Sequence, residues 1–281
     1  MAVKEQARTL GTKEAQALEL LKRRRRAHVS RAEARDLLKE ISSRPDRLIE
    51  RLVAKGWLQG IGGGQYVIAG IAEDDPQEVV PVQLLLHARM EGIGPYFISY
   101  FSGLVEYGLT DHDDEHLFVA VRRDTHYPGP VKVAGRPVVM TRIHSDRKWF
   151  GEERVYVDRQ GYYMRAELAR VLVDCLDRPH LCGSPEIIVR AWWRALRRSD
   201  IDLDRLIDYA PRLSRAVASR AGFLLELLGH QEAAERLHPE RSRGSGASLF
   251  GDEKRYGRSK RWNLDLDVPQ AALEGWAAVE K

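Results

Sequence analysis

The chain has 281 residues, 43% of them hydrophobic, enough for two packed domains and too many for global disorder. Its net charge of +4 is uneven: residues 1–70 carry fifteen Lys and Arg against eight Asp and Glu, a net of +7, and the remainder is −3. No apolar run approaches the roughly 18 residues of a membrane span, and Met1-Ala2-Val3-Lys4-Glu5-Gln6 lacks a signal-peptide core, so a cytosolic protein without a membrane partner is expected.

A first helix is expected from Thr12 to about Ala27, with Ala17, Leu18, Leu20 and Leu21 toward a core. It closes on Lys22-Arg23-Arg24-Arg25-Arg26, a run that suits a helix C-terminus and offers two or three phosphate contacts. Ser30 followed by Glu33 is a capping box, opening a short helix through about Glu40. Ser43-Arg44-Pro45-Asp46 repeats the pattern as S-x-x-D, with Pro45 in the first turn, where its missing N–H costs nothing. The helix it opens should run to Lys55 and stop at Gly56. Leu48, Ile49, Leu52 and Val53 form its apolar stripe. At about 100° per residue, Arg47 lies nearly opposite that stripe, with Arg44 and Arg51 beside it. Trp57-Leu58-Gln59 and Gln65-Tyr66-Val67-Ile68, either side of the glycines at 60 and 62–64, read as a β-hairpin.

Two short helices, the second basic on its exposed face, followed by a hairpin, read as a winged helix-turn-helix for double-stranded DNA. A strongly basic small domain attracts phosphates, which favours DNA over a protein partner. The expected DNA contacts are Arg31, Ser43, Arg44, Arg47, Arg51 and Lys55 on the helices and Gly63 and Gln65 on the wing. Arg47 is the expected base reader.

Ala72-Glu73-Asp74-Asp75-Pro76-Gln77 reads as a linker. Residues 1–70 form the expected DNA-binding domain and 79–281 a second domain. In the latter, a helix is expected over Phe97–Tyr107, ending near Gly108. Strands follow at Leu117–Val121, Val131–Val133, Val138–Thr141 and Arg154–Asp158. Helices are expected at Arg165–Leu176, Ser184–Arg197, Leu203–Tyr209, Leu213–Leu228 and Gln231–Leu237, then a loop over Pro239–Ser248. Trp262 and Trp276 should pack the tail back. The fold class is α+β: an N-terminal winged helix, then a larger mixed domain with a small sheet and a helical C-terminal half.

Catalytic patterns are weak. His112-Asp113-Asp114-Glu115-His116 would place two histidines on one face if helical. Gly108 behind it and the strand at Leu117 ahead make it a solvated turn instead. The glycines at 60–64 do not have phosphate-loop spacing, and no helix follows them. Asp146-Arg147-Lys148 and Asp252-Glu253-Lys254 have the D-x-K spacing of Mg²⁺ nucleases, but neither lies in a convincing core strand. Tyr162-Tyr163 and Trp192-Trp193 read as core and core-edge rings rather than base-stacking pairs. Asp174, Asp177 and Arg178 cluster where an apolar helix ends at Pro179, and are expected to be structural. Cys175 and Cys182, the only cysteines, allow no disulfide framework or four-cysteine zinc site, and are expected buried and reduced. A non-enzymatic protein without cofactor or metal is expected. The rivals are a regulator whose second domain binds a small effector, and a DNA nuclease.

The chain also resembles the AbiEi family, the antitoxin and transcriptional regulator of the AbiE abortive-infection systems. The resemblance spans nearly the whole chain. It rests on Ser30-Arg31-Ala32-Glu33 through Gly64-Gln65-Tyr66-Val67-Ile68, on Ser102-Gly103-Leu104-Val105-Glu106-Tyr107-Gly108-Leu109-Thr110, and on Thr141-Arg142-Ile143 leading to Phe150-Gly151. It continues in Val173-Asp174-Cys175-Leu176-Asp177-Arg178-Pro179 with Gly183 and Glu186, and in Arg220-Ala221-Gly222-Phe223-Leu224-Leu225-Glu226. The basic run Lys22–Arg26 and the basic segment near Arg241–Arg261 depart from that pattern. The resemblance implies a repressor that binds inverted repeats in its own promoter. It also implies that the second domain counters a nucleotidyltransferase-type toxin without a stable complex.

Overall fold

The structure, a computed structural model, describes residues 10–24, 28–69, 80–127, 129–157, 160–237 and 246–278. The expected linker at 72–77, the arginines at 25 and 26, and most of the 239–248 loop lie outside the described residues. The fold is α+β, with eleven α-helices among the described residues. None of those helices is long and apolar enough to cross a membrane. The chain divides into two compact units: Met1–Pro95 with His126–Arg136 and Arg154–Met164, and Tyr96–Thr125 with Pro137–Glu153 and Arg165–Lys281.

The first unit begins with α1 (Thr12–Lys22), which ends earlier than expected, Arg23 and Arg24 forming a turn. Then follow β1 (His28–Ser30), α2 (Arg31–Leu38), α3 (Pro45–Ala54), β2 (Leu58–Gly62) and β3 (Gln65–Ile68). The capping box forms as the spacing requires. Ser30 Oγ accepts the Glu33 N–H at 3.1 Å, and the Glu33 carboxylate accepts the Ser30 N–H at 3.5 Å. The three strands make an antiparallel sheet in the order β1-β3-β2. Helices and sheet share one core, in which Leu21, Leu38, Leu48, Ile49, Leu52, Leu58 and Ile68 are buried. Burying each such side chain is worth roughly 1.5–3 kcal/mol. Val53, expected in the stripe, is instead 37% exposed at its edge. Beyond the undescribed residues comes α4 (Val82–Glu91), which belongs to this unit although it follows the expected linker.

The expected helix over Phe97–Tyr107 is split in the second unit. β4 (Tyr96–Ile98) comes first, and α5 (Tyr100–Glu106) starts after Ser99, an extended residue. All three residues of β4 are buried, and so short an apolar run does not distinguish a strand from a buried helix turn. β4 pairs antiparallel with β5 (Leu117–Arg122), setting Phe97 opposite Ala120. β5 runs parallel to β7 (Arg136–Ile143), Val119 opposite Met140. The strand β6 (Val131–Val133) precedes β7, and β8 (Glu152–Val157) precedes β9 (Gly161–Ala166), whose Arg165 lies parallel to Ile98.

Helices then dominate, close to their expected spans: α6 (Leu168–Asp177), α7 (Pro185–Leu196), α8 (Leu203–Leu213), α9 (Arg215–Leu227) and α10 (Gln231–Arg236). A small sheet of β10 (Ala247–Ser248), β11 (Gly257–Ser259) and β12 (Leu264–Leu266) precedes α11 (Gln270–Ala278). The tail packs back as expected. Trp262 is 1% exposed against Gly222, where a Cβ would stand 2.0 Å from the indole ring. Cys175 and Cys182 are buried free thiols, and burial pushes the Cys182 thiol above its ordinary value.

Candidate nucleic-acid interface

The N-terminus of α3 is built around Pro45. Proline bars the residue before it from helical backbone, so Arg44 takes the N-cap position with φ −129° and ψ 67°. Ser43 is one residue too early to cap the helix, which corrects the expected S-x-x-D box; Ser42 Oγ accepts the Arg44 N–H at 3.1 Å instead. Asp46, in the first turn, turns to α2. It accepts Arg31 Nε at 3.2 Å and Arg35 Nη2 at 3.1 Å. These bonds, Arg35's first, hold its carboxyl below the ordinary value. They also bring Arg31 and Arg35 beside the end of α3 that carries Arg44 and Arg47.

The C-terminal half of α3 has a different partner. Glu14 of α1 is 4% exposed, and Lys55 Nζ lies 2.5 Å from it with Arg51 Nε at 3.9 Å. The Lys55 bond, then that from the Gly11 N–H, keeps the buried carboxyl below its ordinary value despite desolvation. Arg51 and Lys55 therefore remain at the surface with a compensating charge behind them. Arg44, Arg47 and Ser43 are exposed, and among the described residues neither Arg44 nor Arg47 has an ion-pair partner.

The hairpin turns at Gly63 and Gly64, with φ of +62° and +73°. Two consecutive positive φ values are what a type I′ turn requires, and glycine reaches them without strain. The Arg31 N–H donates to the Gly64 carbonyl at 2.7 Å, joining the turn to the start of α2. Gln65 departs from expectation. Its side chain is 8% exposed: strand alternation puts it on the same face as buried Val67, opposite the face on which Tyr66 and Ile68 pack against the helix core. Gln65 is thus an interior residue of the hairpin and not a surface contact.

Two features had no clear signal in the sequence. Glu14 reads as an ordinary first-turn carboxylate until α1 is packed against α3. The second is the attachment of α4 to β1: His28 Nε2 lies 3.0 Å from Glu91 Oε2, and His87 Nε2 is 3.5 Å from Oε1. Both histidines are buried, His87 against the Tyr162 ring at 4.6 Å. His28 foremost, then His87, holds the Glu91 carboxyl well below its ordinary value.

In the second unit the candidate catalytic patterns take other forms. Residues 109–116 are irregular, so His112 and His116 do not share a helix face; His116 Nδ1 lies 2.8 Å from Asp114 Oδ1. Asp146–Lys148 is a single 3₁₀ turn, and 252–254 lies outside any strand. No group of three or more His, Cys, Asp or Glu suited to a metal occurs among the described residues. Asp174 is 1% exposed and accepts Ser99 Oγ–H at 2.7 Å and Arg170 Nε at 2.8 Å. Burial pushes its carboxyl up against the pull of Arg170. Arg170 completes its donors on the Lys148 and Phe150 carbonyls at 2.9 and 2.7 Å. Asp177 and Arg178 pair loosely at 3.9 Å nearby.

The chain is similar to the crystal structure of the Rv2827c protein from Mycobacterium tuberculosis. The TM-score is 0.66 over 92% of this chain and 93% of that one, at 16% sequence identity. What the two share is the fold, and a fold alone does not fix function. No protein-family model matches the chain, and no curated protein matches it.

Proposed function

We propose that the chain is a DNA-binding transcriptional repressor of winged helix-turn-helix type that doubles as an antitoxin. One observation carries the DNA reading. The end of α3 bearing Arg44 and Arg47 keeps two exposed cations without a carboxylate partner among the described residues, beside a glycine hairpin turn joined to α2. The order α1-β1-α2-α3-β2-β3, with strands arranged β1-β3-β2, suits a recognition helix followed by a wing. The antitoxin part rests on the resemblance to AbiEi proteins. It assigns the N-terminal domain to inverted repeats in the promoter and the second to opposing a nucleotidyltransferase toxin without a stable complex. Neither role needs catalysis or a cofactor by this chain. The test has two arms: binding of the full chain to DNA upstream of its own gene, and growth rescue on co-expression with the neighbouring nucleotidyltransferase gene. Absence of promoter binding removes the first role, and absence of rescue removes the second.

A ligand-responsive regulator is the second reading. It is favoured by a cleft of about 270 Å³ lined by Thr110, His112, Ser184, Glu186, Arg190 and Arg194, where Arg190 pairs with Glu186 at 2.8 Å and its buried Nε has no hydrogen-bond partner among the described residues. A metabolite screen reading melting temperature tests it.

A further inference from the structure

The hairpin turn does not stand alone. Arg89, on α4, lies against it: a Cβ at Gly63 would stand 2.2 Å from Arg89 Nη1 and 3.0 Å from Cζ. A Cβ at Gly62 would be 3.7 Å from Arg89 Nε, whereas one at Gly64 would meet nothing within 4 Å. The guanidinium therefore fills the space that a side chain at position 63 would need. Gly62, Gly63 and Gly64 are all exposed, and Arg89 is half-buried. Its charged head reaches the turn. A guanidinium is always protonated and presents five donors in a planar fork that matches a phosphate. The glycines beside it lack side chains that would keep a DNA backbone away.

We propose that Arg89 is a further contact of the DNA interface: it takes a backbone phosphate at the wing turn, so that α4 completes a site otherwise made by α2, α3 and the hairpin. The inference rests on the DNA-binding reading given above. It makes Gly63 a steric requirement as well as a conformational one, because any side chain there displaces the guanidinium.

The experiment measures fluorescence anisotropy of the full chain on its promoter duplex and on a scrambled duplex of equal length, with melting temperatures for every variant. Arg89→Ala and Arg89→Gln should weaken both duplexes by about five- to tenfold and by the same factor, since a phosphate carries no sequence information. Arg89→Lys should recover part of the loss. Gly63→Ala should lose more affinity than Gly64→Ala. Both variants bear the same positive-φ strain, but only the first meets Arg89. Combined with Arg89→Ala, Gly63→Ala should add little further loss. If the unaltered chain binds neither duplex, the DNA-binding reading itself fails. If it binds and Arg89→Ala binds equally well, the assignment of Arg89 alone fails. A loss confined to the promoter duplex would make Arg89 a base reader. An equal loss at Gly63 and Gly64, or a loss that follows a fall in melting temperature, would make it a prop for the turn. Each of these results overturns the phosphate assignment.

Discussion

α3 and α6 are both ten-residue helices that carry arginine, yet they treat it in opposite ways. On α6, Arg170 is 1% exposed and has a carboxylate, two carbonyls and the faces of Phe97 and Phe150 around it. On α3, Arg47 keeps its hydration. Taking an ion from water costs several kcal/mol, so a buried guanidinium persists only where its donors are satisfied. A hydrated one gains little from a surface partner and stays available to an incoming phosphate. Arginine content alone therefore does not locate a binding face; the pairing of each arginine does.

The contrast breaks most visibly at Asp174. Asp174→Ala leaves Arg170 buried and unpaired and should cost roughly 3–5 kcal/mol in urea unfolding, with DNA affinity per folded molecule unchanged. A loss below about 1 kcal/mol would show that water reaches Arg170. Arg47→Ala is the mirror case. Discrimination between promoter and scrambled duplex should fall by about 1–3 kcal/mol while the melting temperature holds. Equal loss on both duplexes would reduce Arg47 to a phosphate contact. Ser30→Ala removes the cap from α2 and should cost about 1 kcal/mol, bringing a modest fall in DNA affinity, because Arg31 at the first turn holds both Asp46 and the hairpin. An unchanged urea midpoint would mean that the cap is dispensable.

The smallest effect concerns acid. The folded Glu91 carboxyl titrates below its ordinary value of 4.5, so its contribution is complete above that pH and is lost as pH falls through the folded value. With its side chain 35% exposed, the contribution stays under about 1 kcal/mol. Urea midpoints measured from pH 7 to pH 3 should fall less steeply for Glu91→Gln than for the unaltered chain. Superimposable acid limbs would remove Glu91 from the account.

Local chemistry made much of the first unit readable. The Ser30–Glu33 spacing, the apolar residues 48, 49 and 52, and the glycines after Leu58 each act within a few residues of themselves, and the elements follow. Errors arose where a neighbour outranked a motif. Pro45 moved the cap from Ser43 to Arg44. The pleat turned Gln65 inward, although its neighbours in sequence are exposed glycines. Tyr96-Phe97-Ile98 became a strand because β5 lay ready to pair with it, a partner that no periodicity discloses. Arg89 and Glu14 were beyond sequence reading altogether, since each acts on an element far along the chain. In the second unit the structural part assigned to Asp174 was legible from the apolar helix around it, but Ser99 and Arg170 as its partners were not.

On the proposed DNA-binding reading, Asp46 on α3 and Glu14 beneath it also set how the surface answers to salt. Arg31, Arg35, Arg44, Arg47, Arg51 and Lys55 are six cations, but Asp46 already engages Arg31 and Arg35, and Glu14 lies against Arg51 and Lys55. An arriving duplex releases counterions only in proportion to the phosphates that are newly neutralised. The logarithm of affinity falls by about 0.9 per such phosphate for each unit in the logarithm of salt. From α2 and α3, one copy of this surface therefore yields a slope nearer −2 than the −5 that its six basic residues suggest. On that reading salt sensitivity is governed by acids: neutralising Asp46 or Glu14 should steepen it without adding a single basic residue.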